Sequence, residues 1–229
     1  MPPRRGLSFL SSYTWSKAIA SGCDFQFTVT PSGGCVSDQY NPQSARGLDQ
    51  NDQRNRFTLS WLYALPVGKG QRFWSSGSAV ASKIVSGWQL GGIVTAASGQ
   101  PLTPILTYDN PNVGAQIALP NVVSNPNNGP KTINEWFNTN AFQAPTPFTF
   151  GNARIASITG PGSLNVDFSI FKNTAITERV NLQFRTEFFN ALNHTNFGDP
   201  NTTFGTPQFG QIFGAASSRE IQFSLRLEF

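Results

Sequence analysis

Charge is what this sequence has least of. Only 12% of its 229 residues are Asp, Glu, Lys or Arg, against roughly 25% in a typical soluble domain. Long apolar runs are missing too: no stretch of about 18 apolar residues occurs, which excludes a transmembrane helix. There is one histidine and there are two cysteines. Neither the Cys spacing nor the distant His fits a zinc pattern. The net charge is +4 with a pI near 9.3, but the basic residues cluster only at Arg4-Arg5 and at Arg54 and Arg56. That is no basic stripe, so a nucleic-acid partner is not expected. The opening segment MPPRRGLSFL has a basic start and no apolar core of signal-peptide length. A chain that must cross an inner membrane needs such a leader, so either that segment is missing or the chain is a fragment of a longer protein.

Phenylalanine is abundant, with 20 copies against four Tyr and five Trp. Small polar residues dilute it. Strands with one apolar and one wet face have this composition.

Strict alternation predicts six strands. The first spans Leu7 to Trp15, with Leu7, Phe9, Tyr13 and Trp15 on one face. The second, Arg54 to Leu65, carries Phe57, Leu59, Trp61, Tyr63 and Leu65 opposite Arg56, Thr58 and Ser60, and Pro66 with Gly68 and Gly70 ends it. The third, Ile84 to Ala97, places Trp88, Leu90, Val94 and Ala96 together. The fourth, Leu164 to Lys172, and the fifth, Val180 to Phe188, flank a connection over Asn173 to Arg179. The sixth runs from Arg219 to Phe229. Ile221, Phe223, Leu225, Leu227 and Phe229 there alternate without a break with Glu220, Gln222, Ser224, Arg226 and Glu228. Its length is about that of a tilted membrane-crossing strand.

Long connections follow the first, third and fifth strands, and shorter ones the second and fourth. Long outer loops and short periplasmic turns have this rhythm in a transmembrane barrel. Within 98–162 a strand-like piece is expected near Leu102 to Tyr108 and a helical turn near Ile133 to Phe137. Parity then puts Tyr13, Trp15, Phe57 and Phe188 near the outer rim, and Trp61, Tyr63, Trp88 and Phe229 near the periplasmic rim. These are the two aromatic girdles a barrel should show. The fold class expected is all-β: an antiparallel, up-and-down transmembrane β-barrel segment of about six strands covering 1–229, too few to close around a lumen.

No catalytic constellation stands out. His194, in NALNHTNF, has no nucleophile or ligand partner nearby in sequence. Gly87, Gly91 and Gly92 make no dinucleotide fingerprint, since no helix follows. In a strand they mark a bend or close packing. The polar faces carry Arg56, Gln89, Asp167, Gln183, Arg185, Glu187, Gln222, Arg226 and Glu228, read as a wet wall with charges paired across strands. Matching faces across the Asn173 to Arg179 turn sets Asp167 near Arg185 and Ser169 near Gln183. Cys23 and Cys35, in a polar stretch, are expected to form a disulfide in an oxidising compartment.

Four stretches resemble one family. They are RFTLSWLYALPVGKG (Arg56 to Gly70), GWQLGGIVTAASGQP (Gly87 to Pro101), the segment from Phe150 to Asn201 containing FNALNHTNFGDPN, and REIQFSLRLEF (Arg219 to Phe229). They are similar to the C-terminal barrel of TonB-dependent outer-membrane receptors, in the branch with an N-terminal carboxypeptidase-regulatory-like domain. The resemblance implies a bacterial outer-membrane transporter for a solute, with no enzymatic activity and no cofactor. The family's plug and TonB-contacting segment have no counterpart here, so TonB would be met only through a missing N-terminal region. It also implies that the strand with Phe223, Leu225, Leu227 and Phe229 is a signal read by the barrel-assembly machinery. Outer-membrane lipid is the other expected partner. The alternatives are a passive or adhesive barrel with long binding loops, and a soluble glycan-binding β-sandwich.

Overall fold

The computed structural model describes residues 6–21, 41–68, 71–74, 78–114 and 118–229. Six long strands form one antiparallel sheet in chain order. They are β1 (Gly6–Trp15), β2 (Asn55–Ala64), β3 (Trp88–Ala97), β4 (Ser163–Ala175), β5 (Asn181–Phe189) and β6 (Glu220–Glu228). β1 and β6 are the two edges, and the sheet does not close on itself.

The ladders carry the alternation across the sheet. Phe9 lies opposite Trp61, Trp61 opposite Gly92, Gly92 opposite Phe168, Phe168 opposite Phe188, and Phe188 opposite Ile221. Residues opposite one another share a face, so this row and its strand neighbours two residues away, Ser11 and Thr186 apart, form one apolar surface. Phe9 is mid-strand in β1, whereas Ile221 is near the start of β6. The strands are therefore staggered, as tilted barrel strands must be. No second sheet covers the apolar face among the described residues: Phe9 is 71% exposed and Phe223 67%. A soluble sandwich would bury that face between two sheets.

Packing on this face is specific at Gly92. A Cβ there would meet the Trp61 indole at 2.7–2.9 Å. Glycine thus lets the indole pack closely against β3 and reach Phe168, with ring centroids 6.2 Å apart.

Three expectations need correction. First, Ile84 does not begin the third strand but lies in a short helix, α1 (Ala79–Val85), with Ser78 as its N-cap. Gly87, at φ +79°, turns the chain before β3 starts at Trp88. Second, the register across β4 and β5 differs by four residues. Arg185 faces Phe171, Gln183 faces Asn173 and Ser169 faces Glu187. Asn173, Thr174 and Ala175 continue β4, so the turn centres nearer Glu178. A shift by an even number keeps every side chain on its face, which explains how the faces came out as expected while the pairs did not. Third, the helical turn expected over Ile133 to Phe137 lies at Thr139–Ala141 instead. Cys23 and Cys35 lie outside the described residues.

Candidate functional site

Two surfaces can meet a solute: the polar face of the sheet and the cap built by the long connections. The polar face holds a shallow recess of about 480 Å³ whose walls include Ser60, Gly91, Asp167, Ser169 and Arg185. Its charges pair along strands, not across them as expected. Arg185 Nη2 donates to Glu187 Oε1 at 2.6 Å, and Arg226 Nε lies 3.3 Å from Glu228 Oε1. Residues two apart on a strand share a face, and the cross-strand partners of Arg185, Phe171 and Ser224, carry no charge. The Arg185 guanidinium also sits over the Phe171 ring at 4.9 Å. Asp167, which lies away from Arg185 along the sheet, accepts from Asn165 Nδ2 at 2.8 Å and from the Asn190 backbone N–H at 3.0 Å.

That second bond starts the turn containing His194. Asn190 has φ +47°, a left-handed conformation Asn tolerates. Its Oδ1 accepts from the His194 N–H at 2.9 Å, and its Nδ2 donates to the His194 carbonyl at 2.9 Å. The motif around His194 is thus a turn built by an asparagine side chain.

The cap was not visible in the sequence as a unit. Phe137, Ala141, Phe142 and Ile158 form a buried cluster, with Leu102, Val122, Trp136, Phe204 and Phe209 packed against it. Phe209 comes from the connection between β5 and β6, the others mostly from that between β3 and β4. Its ring meets Phe137 at 4.9 Å and Phe142 at 5.4 Å, both edge-on, the arrangement aromatic quadrupoles favour. Backbone bonds add to the join, from Trp136 N–H to the Gly210 carbonyl and from Ile212 N–H to the Ile133 carbonyl, each 2.8 Å. The connection between β1 and β2 joins through Ala45 and Leu48, packed with Ile155 and Ala156. Beside that junction runs a cleft of about 480 Å³ lined by residues including Lys17, Arg46 and Arg154. Burial pushes the Asp199 carboxyl above its ordinary range and the Lys131 amine below its own.

The sequence-predicted girdle residues are spread over the apolar face. Tyr13 and Trp15 stand exposed at the cap end of β1, where Tyr13 Oη donates to Asn55 Oδ1 at 2.8 Å and Arg54 lies 6.0 Å from the Trp15 ring. Tyr63 and Trp88 sit toward the opposite rim. Trp61 stands further in, over Gly92. Along β6, Phe223, Leu225 and Leu227 are exposed on the apolar face, and Phe229 follows the strand 97% exposed.

An open sheet with a bare apolar face, a polar opposite face and long connections gathered at one rim has the form of part of a barrel wall. Residues 3–222 match the family described as an outer membrane beta barrel domain. The chain belongs to that family. No curated protein and no solved structure matches the chain. As an outer membrane beta barrel domain, the chain has its place in an outer membrane. Among the described residues no group of three or more His, Cys, Asp or Glu could hold a metal ion.

Proposed function

We propose that this barrel domain is the C-terminal wall of a TonB-dependent transporter in a bacterial outer membrane. It admits a solute too large or too scarce for passive pores. The observation that carries the reading is the cap. Three connections that could have been separate loops share cores and backbone bonds, forming a preformed platform above a polar wall. Preformed concave surfaces bind with little ordering cost. The resemblance of the Phe150 to Asn201 and Arg219 to Phe229 stretches to the receptor family points the same way. The work is binding and passage, without catalysis or cofactor. Contact with TonB falls to receptor segments outside residues 1–229. The exposed edge of β6, ending at Phe229, is suited to strand addition by the barrel-assembly machinery.

The cap then faces the outside, and the rim carrying α1 and the β4–β5 turn faces the periplasm. The test is genetic. The gene is deleted in its natural host and growth is scored across limiting nutrients, with and without TonB. A nutrient whose use falls equally on deleting either supports transport. A deletion phenotype untouched by loss of TonB, or leakage of small solutes through vesicles carrying the protein, favours the passive barrel instead.

A further inference from the structure

The connection between β2 and β3 contains an inverted helix. A short helix on a soluble surface turns its large apolar residues inward. In α1 the half-buried positions are Ala81, Ser82 and Val85, while Val80 and Ile84 are 69% and 63% exposed. Positions four apart share one stripe of a helix, and exposed Lys83 flanks it. Just before the helix, Phe73 and Trp74 are 55% and 67% exposed.

The helix is fixed on the lipid side of the wall. Trp88 and Lys172 lie opposite each other on the apolar face. Trp88 Nε1 donates to the Ile84 carbonyl at 3.0 Å. Lys172 Nζ donates to the Lys83 carbonyl at 2.8 Å and also to the Ser86 carbonyl, and it lies 5.6 Å from the Trp88 ring. A cation at the last carbonyls of a helix is a favourable end contact. Two side chains of the apolar face thus clamp the end of α1 at the rim, and its apolar stripe, Val80 and Ile84, is left exposed there.

We propose that α1, with Phe73 and Trp74, is an interfacial anchor lying in the headgroup layer of the inner leaflet and taking anionic phospholipid there. The proposal rests on the barrel reading above. Charge supports the choice of lipid: the described residues of the connection between β2 and β3 include Arg72 and Lys83 and no Asp or Glu. Aromatic rings and a snorkelling lysine beside an apolar stripe are the usual chemistry of an interfacial helix.

The test uses the full chain with Cys23→Ser and Cys35→Ser, reconstituted in phosphatidylethanolamine and phosphatidylglycerol vesicles. Single cysteines replace Val80, Ile84, Leu225 or Gln208 and carry a fluorescent label. Quenching by shallow spin-labelled lipid should be at least about threefold stronger at positions 80 and 84 than at the cap position 208. It should weaken in vesicles of phosphatidylcholine alone, and Lys83→Glu with Arg72→Glu should remove that difference. Quenching at 225 by deep spin-labelled lipid, with none at 80 and 84 by the shallow one, overturns the anchor while leaving the barrel standing; no quenching at 225 by the deep lipid overturns the barrel reading itself. Labels at 80 and 84 shielded from both lipid and water, as under a protein partner, also overturn it. So does equal quenching in the two vesicle types.

Discussion

Replacing Phe137 with alanine should open the cap and leave the wall intact. Phe137 is fully buried, at 0% exposure, and its ring touches Phe142 at 5.8 Å and Phe209 at 4.9 Å. Truncating a buried Phe costs about 3–5 kcal/mol, a range that includes the cavity left behind. Each 1.4 kcal/mol is tenfold in an equilibrium, so cap opening should rise about a hundredfold to a few thousandfold. The effect should be local, because the cap meets the sheet mainly at strand ends, as where Asn196 Oδ1 accepts from the Leu164 N–H at 2.7 Å. Amide hydrogen exchange in detergent can read this. The Trp136 and Ile212 amides, bonded across the two connections, should lose protection. The amides of β3 and β4 should keep theirs. Equal loss in cap and strands, or an unchanged Trp136 amide, would refute the claim that the cap is a separately cooperative unit.

Gly92→Ala should drive the Trp61 indole off β3, with an overpacking cost of about 1–3 kcal/mol. A blue-to-red shift in Trp emission and a lower unfolding midpoint should both revert when Trp61→Leu is added. Phe223→Arg should cost about 2–4 kcal/mol if the site lies near the bilayer midplane, and Gln222→Arg, one residue back and opposite Glu187, close to nothing; reversible urea unfolding in lipid compares them, and equal effects would reverse the assigned faces. Exported protein mapped by mass spectrometry without reductant should yield one linked peptide pair containing Cys23 and Cys35, and two free thiols would count against the disulfide. Asp199 has a folded pKa above its usual 3.8 because of burial. The folded cap therefore holds that proton to higher pH than the unfolded chain does, so the contribution is fullest below the unfolded pKa and is lost as pH rises through the folded one. Asp199→Asn should flatten that slope in cap exchange rates, and an unchanged slope would assign the dependence elsewhere.

The wall was legible because one apolar face and one polar face impose a period of two on every strand. Even Ile93, an apolar residue that breaks the alternation of the third strand, sits where the pairing puts it, on the polar face opposite Asp167 and Ser60. Register was less legible, since Asn173 and Thr174 give no hydrophobic signal for or against a strand. α1 was missed because Ile84 was read into the following alternation, although Val80 and Ile84 already stood four apart. The cap left the weakest trace. Phe137, Phe142, Phe204 and Phe209 come together from distant irregular segments, and no local period announces that. Among the candidate-site residues, the polar face was assigned from alternation, but its ion pairs along the strand were not. Spacing gives which face a charge is on, and only the rotamers give which neighbour it takes.

The position of Phe209 also sets an order of events. It lies between β5 and β6, while its ring partners Phe137 and Phe142 precede β4. The aromatic core is therefore incomplete until the last hairpin is in place, however early the upstream connection collapses. Contacts of such long sequence separation form late, after the loop between them has been closed at an entropic cost. Every intermediate lacking the β5–β6 hairpin leaves Phe137 and Phe142 without that ring, open to proteases and chaperones. Resistance of the cap to cleavage is thus a clock for completion of the final hairpin, readable in a time course without any probe in the membrane.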